Sequence, residues 1–156
     1  NDVRYFDIIK KSKFNGFILS GGNDLNVKKT RTILEKKILN LSKKKKIPVL
    51  GICHGMQIMN NREGGSLKRI KNHVGKYHKL KNSNLNYPSK VNSFHNFGIN
   101  KLGRNFEIIA YSTDNQIKAI KHKKYNWLGW MWHPEREKKF DKKIINISKK
   151  FFNLKK

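Results

Sequence analysis

The chain has 156 residues, of which 37% are apolar and 36 are Lys or Arg, and its formal net charge is +26. This length favours one domain with one hydrophobic core. The single cysteine excludes an internal disulfide, which is typical of a cytoplasmic protein. No apolar run approaches the roughly 18 residues of a membrane-spanning helix, so we expect no membrane partner.

The first half of the sequence alternates apolar runs with helical patterns. Residues 14–22 end in two glycines and predict a buried strand that enters a turn. Residues 28–46 carry apolar side chains at helical spacing and predict an amphipathic helix. Residues 47–52 predict a second buried strand, and helical spacing resumes over 54–61. This order predicts a parallel sheet covered by helices.

The second half begins with a polar segment that predicts loops and short strands, followed by four strand-like segments and a closing helix. We therefore predict an α/β fold, with a mostly parallel sheet flanked by helices, in one domain over residues 1–156. The sequence opens at Asn1, close to the first strand, so we expect this domain to be incomplete at its N-terminus. The segments are polar 64–88, strands 90–99, 105–112, 116–123 and 127–135, and helix 138–156.

The only cysteine, Cys53, lies between Gly51 and Gly55 where an apolar run ends. A chain that passes from strand to helix at this point needs a strained backbone and small neighbours. Such a turn would expose the sulfur at the end of the sheet, at a helix N-terminus that favours thiolate. The pattern is typical of a nucleophile on a strand–turn–helix elbow. A buried structural cysteine is the alternative.

A base for this thiol is predicted in a late apolar segment. His133 follows the predicted strand and precedes Pro134 and Glu135. Strand ends are where the sites of α/β proteins gather. In an extended segment, side chains two residues apart point to the same side, so Glu135 can contact the His133 ring. The carboxylate would then hold the imidazole tautomer and stabilise imidazolium.

The motifs GICHGMQ and GWMWHPE together resemble those of the class I glutamine amidotransferase superfamily, whose signatures are GxCxGxQ and a late HPE. The resemblance implies a flavodoxin-like fold and a catalytic triad of Cys53, His133 and Glu135. The family's first strand and the helix after it are largely missing from this sequence.

The resemblance also identifies ILSGG as the oxyanion loop. The implied donors are the backbone N–H groups of Gly22, or its neighbour Gly21, and of His54. Preorganised donors of this kind stabilise a tetrahedral oxyanion. This chain departs from the pattern at the residue after the nucleophile, where Arg is usual and His54 stands here.

Further segments are similar to the gamma-glutamyl hydrolase branch, which includes gamma-glutamyl-gamma-aminobutyrate hydrolases. They are CHGMQIMNNREGGSL, VNSFHNFGI and QIKAI. Together, the segments ILSGGNDL, NHVGK, NSFHNFGI and MWHPERE also look like those of gamma-glutamyl-CDP-amidate hydrolases. The resemblance implies a hydrolase that releases glutamate from a small gamma-glutamyl amide through a thioester, without a cofactor.

Four polar residues are implied as substrate contacts. Gln57 would hold the elbow or the glutamyl group, and a polar helix position is the alternative. Asn92, Ser93 and His95 would line the pocket, and a polar strand edge is the alternative. Asn23 and Asp24 could contact the substrate amine or cap the next helix.

A metal site is not expected. His73 and His78 have a spacing that would allow zinc binding together with Cys53, but no acidic or thiolate ligands cluster near them in the sequence.

Two other functions remain open. The chain could be a glutaminase subunit that supplies ammonia to a separate synthetase. It could also be a polybasic nucleic-acid-binding protein with an inactive site, since a cationic surface attracts phosphates. Only six of its basic residues are Arg, however, and specific readers of bases and phosphates favour Arg. We therefore expect a lysine-rich solvated surface and no nucleic acid partner.

Overall fold

The computed structural model describes residues 3–22, 29–82 and 87–154. Single 3-10 turns lie at Val3–Tyr5 and Pro134–Arg136. In the described part of the chain there are four α-helices and nine strands. They are α1 Phe6–Lys11, β1 Phe17–Leu19, α2 Lys29–Lys45, β2 Val49–Ile52, α3 His54–Arg62, β3 Ser66–Arg69, β4 Val74–Asn82, β5 Lys90–Phe94, β6 Phe97–Lys101, β7 Phe106–Ser112, β8 Ile117–His122, β9 Trp127–Trp130 and α4 Lys142–Phe151.

Seven strands form one mixed sheet in the order β1-β2-β9-β8-β7-β4-β5. Only β1, β2 and β9 pair in parallel, and the other pairings are antiparallel. The prediction of a mostly parallel sheet was therefore wrong. The connections from β7 to β8 and from β8 to β9 are short turns, and a parallel pairing would need a long crossover instead.

The predicted strand 90–99 is two strands. β5 pairs with β4 in the large sheet, whereas β6 pairs with β3 in a separate two-stranded sheet. The chain changes sheets at His95, which is buried and lies between them. The predicted strand 127–135 is likewise too long, because β9 ends at Trp130 and a 3-10 turn begins at Pro134.

Three further differences concern polar segments. The segment 64–88 contains β4, which spans nine residues and was not predicted as one long strand. Helix α1 was not predicted. The closing helix is shorter than 138–156 because Asp141 caps it, accepting a hydrogen bond of 2.7 Å from the backbone N–H of Lys143. None of the described helices has the length and apolar character needed to cross a membrane.

Helix α3 packs almost directly on the backbone of the parallel strands. A Cβ atom at Gly51 would lie 2.6 Å from the carbonyl carbon of Gly55, and one at Gly55 would overlap the carbonyl oxygen of Leu19. The glycines therefore allow the helix to start immediately after β2. Residues 54–60 of α3 are all buried as a result.

Candidate active site

Cys53 forms the turn between β2 and α3. Its backbone has φ +47° and ψ −98°, a conformation that non-glycine residues rarely adopt. Its N–H donates a hydrogen bond of 2.6 Å to the carbonyl of Trp130, at the end of the parallel neighbour β9. The two strands therefore end side by side, and His133 follows β9 at the same edge of the sheet.

The sulfur is less exposed than the sequence predicted. Cys53 is only 4% exposed, and this burial raises the pKa of its thiol to about 11. The backbone N–H of His54 and the charge of Arg136 favour thiolate, but burial outweighs them. The helix N-terminus therefore favours thiolate as expected, but it does not offset the burial of the sulfur, which the sequence did not predict. A thiol in this state would act as a nucleophile only with a base that removes its proton.

His133 and Glu135 are in contact. The Nδ1 atom of His133 lies 2.7 Å from Oε1 of Glu135. The predicted reason for this contact was wrong, because Pro134–Arg136 is a 3-10 turn and not an extended segment. The Nε2 atom of His133 is buried and has no hydrogen-bond partner among the described residues. With Nδ1–H donated to the carboxylate, Nε2 keeps a free lone pair that can accept a proton.

Asn92 fixes the backbone of His133. Its side-chain oxygen accepts a hydrogen bond of 2.8 Å from the His133 N–H, and its Nδ2 donates to the His133 carbonyl at 2.7 Å. Nδ2 also lies 2.7 Å from Oε1 of Glu137. The ring of Phe94 meets the imidazole edge-on, with centroids 5.9 Å apart. Asn92 thus contacts the segment carrying His133, and its predicted substrate contact remains a prediction.

The predicted oxyanion loop lies against the same imidazole. A Cβ atom at Gly21 would lie 2.5 Å from Cε1 of His133, and one at Gly22 would overlap the guanidinium of Arg31. Arg31 donates hydrogen bonds to the carbonyls of Ser20 at 2.5 Å and Gly21 at 3.0 Å. The loop carbonyls are therefore fixed from helix α2. Asn23 and Asp24 lie outside the described residues.

His54 connects the elbow to this loop through a buried carboxylate. Its Nε2 lies 2.9 Å from Oε2 of Glu35, whose Oε1 accepts a hydrogen bond of 2.8 Å from Arg31. The His54 ring therefore contacts helix α2, while its backbone N–H remains at Cys53. Sequence analysis missed this network, although the spacing of Arg31 and Glu35 is typical of a helical ion pair.

Replacing Glu35 with Ala is expected to lower the free energy of unfolding by about 2 kcal/mol, because it removes the buried carboxylate that contacts both Arg31 and His54. Urea unfolding followed by tryptophan fluorescence measures the change. Glu107→Ala is the matched control, since Glu107 is exposed on β7. Equal unfolding midpoints for the two variants would contradict a stabilising role for the network.

Sequence analysis did not identify Lys118, a buried lysine that lies near the site. Lys118 on β8 is 0% exposed, and its ammonium lies 3.0 Å from Ser93 Oγ and 3.1 Å from both His73 Nδ1 and His95 Nε2. Three acceptors thus match its three N–H donors. Ser93 and His95 contact this ammonium, and their predicted role in substrate binding remains a prediction. The sequence feature that could have identified Lys118 is the presence of a lysine within an otherwise apolar strand.

Burial lowers the pKa of Lys118 to about 8, against the opposing effects of Asp114 and Cys53. The ammonium is therefore the form that the cluster holds at neutral pH. Its electrostatic interaction with Cys53 places a buried positive charge on the side of the site formed by β8.

Gln57 lies one helical turn after the nucleophile and is buried. Its Nε2 donates a hydrogen bond of 3.0 Å to the carbonyl of Phe97, which also contacts Nδ1 of His95 at 3.0 Å. Gln57 therefore joins helix α3 to the start of β6. This contact agrees with a role in holding the elbow, and its predicted contact with the glutamyl group remains a prediction.

His73, His78 and Asp114 have ligand atoms within 4.8 Å of one another. The two imidazoles stack with centroids 4.1 Å apart and planes 6° from parallel. A metal ion bound to both would have to lie in both ring planes, which nearly parallel, separated planes do not allow. His73 Nε2 is also 2.7 Å from the Asp114 carboxylate. The arrangement favours a hydrogen-bonded cluster, and Cys53 is not part of it.

Cys53 follows β2 and the His133–Glu135 pair follows β9, so both lie at the same edge of the sheet, where these two parallel strands end. The chain matches the family model described as glutamine amidotransferase class-I over residues 1–151. It therefore belongs to the class-I glutamine amidotransferase family. The resemblance seen in its motifs is confirmed.

Among curated relatives, the chain is 40% identical over 150 residues to gamma-glutamyl-CDP-amidate hydrolase of Campylobacter jejuni. This alignment covers 92% of the present chain and 72% of the Campylobacter jejuni protein. It is 34% identical over 141 residues to a GMP synthase of Francisella tularensis, covering 83% of this chain. The chain spans only 26% of that synthase.

Solved structures share the fold. A Thermoplasma acidophilum protein described as part of a GMP synthase superposes with a TM-score of 0.75 at 23% identity, over 97% of this chain and 76% of that one. A glutamine amidotransferase of Thermotoga maritima gives a TM-score of 0.65 at 21% identity, over 88% and 64%. The expected glutamine amidotransferase fold is thus confirmed, although its sheet is mixed.

Proposed function

We propose that this chain is a cysteine-dependent hydrolase that cleaves a gamma-glutamyl amide bond and releases glutamate. The observation that carries the proposal is the state of His133. Its Nδ1 contacts Glu135, and its Nε2 is buried and has no hydrogen-bond partner among the described residues. His133 also follows β9, the strand that pairs in parallel with β2, and Cys53 follows β2. This arrangement suits a base that accepts the thiol proton.

In the proposed reaction, Cys53 Sγ attacks the gamma-carbonyl carbon while Nε2 of His133 takes the thiol proton. This transfer is required because the free thiol is protonated at neutral pH. Imidazolium, stabilised by Glu135, then protonates the leaving amine as the C–N bond breaks, and a glutamyl thioester remains. Water activated by His133 attacks the thioester, so that glutamate leaves and the thiol is restored.

The negative oxygen of the tetrahedral intermediate needs two N–H donors. We assign these to the backbone of His54 and of Gly22 or Gly21. The N–H of His54 already interacts with the sulfur of Cys53. Gly21 packs against the His133 ring, and Gly55 of the elbow packs against Leu19 just before this loop, so the loop lies close to both.

Gamma-glutamyl-CDP-amidate is the substrate we propose, and the Campylobacter jejuni relative supports this choice by its name and its 40% identity. The purified chain should release glutamate from this compound without any partner, and with a higher kcat/KM than from glutamine or gamma-glutamyl-gamma-aminobutyrate. Enzymatic assay of free glutamate measures the reaction. Absence of glutamate from all three donors would contradict the hydrolase function.

The second candidate is a glutaminase subunit, which the similarity to a GMP synthase favours. In that case, glutamine would be hydrolysed rapidly only when a synthetase subunit is added. The same assay, with glutamine as donor and with and without cell extract, separates the two candidates.

A further inference from the structure

Arg136 ends the 3-10 turn that follows His133. It is exposed, and its guanidinium carbon lies 4.5 Å from the centroid of the Phe94 ring. Phe94 in turn meets the His133 ring edge-on. A guanidinium over an aromatic face is held there by a cation–π interaction. Arg136 is therefore positioned beside the imidazole rather than free in solvent.

The guanidinium has no carboxylate partner in the described part of the chain. The neighbouring acids are already engaged, since Glu135 contacts His133 and Glu137 accepts hydrogen bonds from Asn92 and from Tyr77 at 2.9 Å. Arg136 thus keeps its five N–H donors for another acceptor. These donors match the two oxygens of a carboxylate or a phosphate.

The charge of Arg136 reaches the reacting sulfur. Burial raises the pKa of Cys53 most, and Arg136 has the largest opposing effect of any charged side chain. Lys118 acts in the same direction with a smaller effect, whereas Glu135 acts against both. The positive charge at the mouth of the site therefore comes chiefly from Arg136.

We propose that Arg136 is a specificity residue that binds an anionic group, a carboxylate or a phosphate, on the leaving amine of the substrate. This inference rests on the proposed function, in which His133 delivers a proton to that amine. The leaving amine must therefore lie beside the His133 ring, which is where Phe94 holds the guanidinium. The glutamyl group instead lies over Cys53 and the loop at Gly21.

Two chromogenic donors that differ by one carboxylate test the assignment. They are gamma-glutamyl-p-nitroanilide and gamma-glutamyl-3-carboxy-4-nitroanilide. In the wild-type protein the carboxylated donor should have the higher kcat/KM. Arg136→Met should lower the ratio of the two kcat/KM values about tenfold, as expected for loss of a charged hydrogen bond. A structural defect would lower both values together and leave the ratio unchanged.

Arg104→Met is the matched control, because Arg104 is exposed and its backbone lies beside Glu63, at the opposite end of α3 from Cys53. It changes the net charge equally and should keep the wild-type ratio. Arg136→Lys should give an intermediate ratio, since lysine keeps the positive charge but lacks the planar guanidinium that can bind two oxygens at once. A ratio in Arg136→Met equal to that of Arg104→Met would overturn the proposal.

A second readout needs no turnover. Cys53 is the only cysteine, so alkylation by iodoacetate or iodoacetamide reports on this site alone. In both reactions the sulfur displaces iodide, but only iodoacetate is anionic. Arg136→Met should lower the ratio of iodoacetate to iodoacetamide rates about threefold, and Arg104→Met should not. An unchanged ratio would overturn the proposal. If the wild type hydrolyses neither nitroanilide, the alkylation ratio still tests Arg136, and the hydrolase function is judged separately by glutamate release from gamma-glutamyl-CDP-amidate.

Discussion

Cys53→Ala is expected to abolish glutamate release, and His133→Gln to lower its kcat by about three orders of magnitude. The first variant removes the proposed nucleophile. The second removes the acceptor for a thiol proton that burial holds on the sulfur. A glutamine-like chloroketone should label the wild-type protein at Cys53, as located by mass spectrometry, and should label His133→Gln more slowly. Urea unfolding of both variants confirms that they fold.

Glu135→Gln should have a smaller effect than His133→Gln, a loss in kcat of about tenfold or more. In the proposed mechanism the carboxylate does not touch the substrate and acts by orienting and stabilising the imidazole. Glu107→Gln is the matched control, because this exposed acid lies on β7. Wild-type rates in Cys53→Ala, or equal rates in Glu135→Gln and Glu107→Gln, would contradict the proposed triad.

Gly55→Ala should lower the free energy of unfolding by about 3–5 kcal/mol. The added Cβ would overlap the carbonyl oxygen of Leu19 and approach its Cβ to 2.7 Å. Neither atom is the end of a flexible side chain, so helix α3 would have to move away from β1. Such a movement would also displace the elbow, and we expect glutamate release to fall with stability.

Gly64→Ala is the control for this substitution. A Cβ at Gly64 would meet nothing within 4 Å, but its φ of +81° makes a side chain costly by about 1 kcal/mol. Urea unfolding followed by tryptophan fluorescence compares the two variants. Equal stabilities would contradict the prediction, because they would show that moving α3 away from β1 costs no more than the positive φ at Gly64.

The elbow and the His133–Glu135 contact were predictable because each lies within a few residues of sequence. The backbone strain at Cys53 followed from a strand that must become a helix at one residue. The burial of its sulfur did not follow from the local motif, because Cys53 is part of a hydrophobic core that is built from segments far apart in sequence. The local motif therefore predicted the turn at Cys53 but not the burial that raises the pKa of its thiol.

The mixed sheet could have been predicted from connection lengths, since the gaps after 112 and 122 are too short for crossover helices. The ion network from His54 to Arg31 and the acceptors of Lys118 could not. These contacts join residues far apart in sequence, and no local pattern specifies which acid or histidine meets which cation. Lys118 was recognisable only as an unusual charge in an apolar strand.

The histidines around Lys118 give the protein a sensitivity to acid. Burial, together with the charge of Lys118, lowers the pKa of His95 from 6.5 to about 3, and the pKa values of His73 and His78 are also lowered by burial. Below pH 6.5 these histidines bind protons in the unfolded chain but stay neutral in the folded chain until the pH is lower. Stability should therefore decline as pH falls from 6.5 towards 3, and the urea midpoint at pH 5 should lie below that at pH 7.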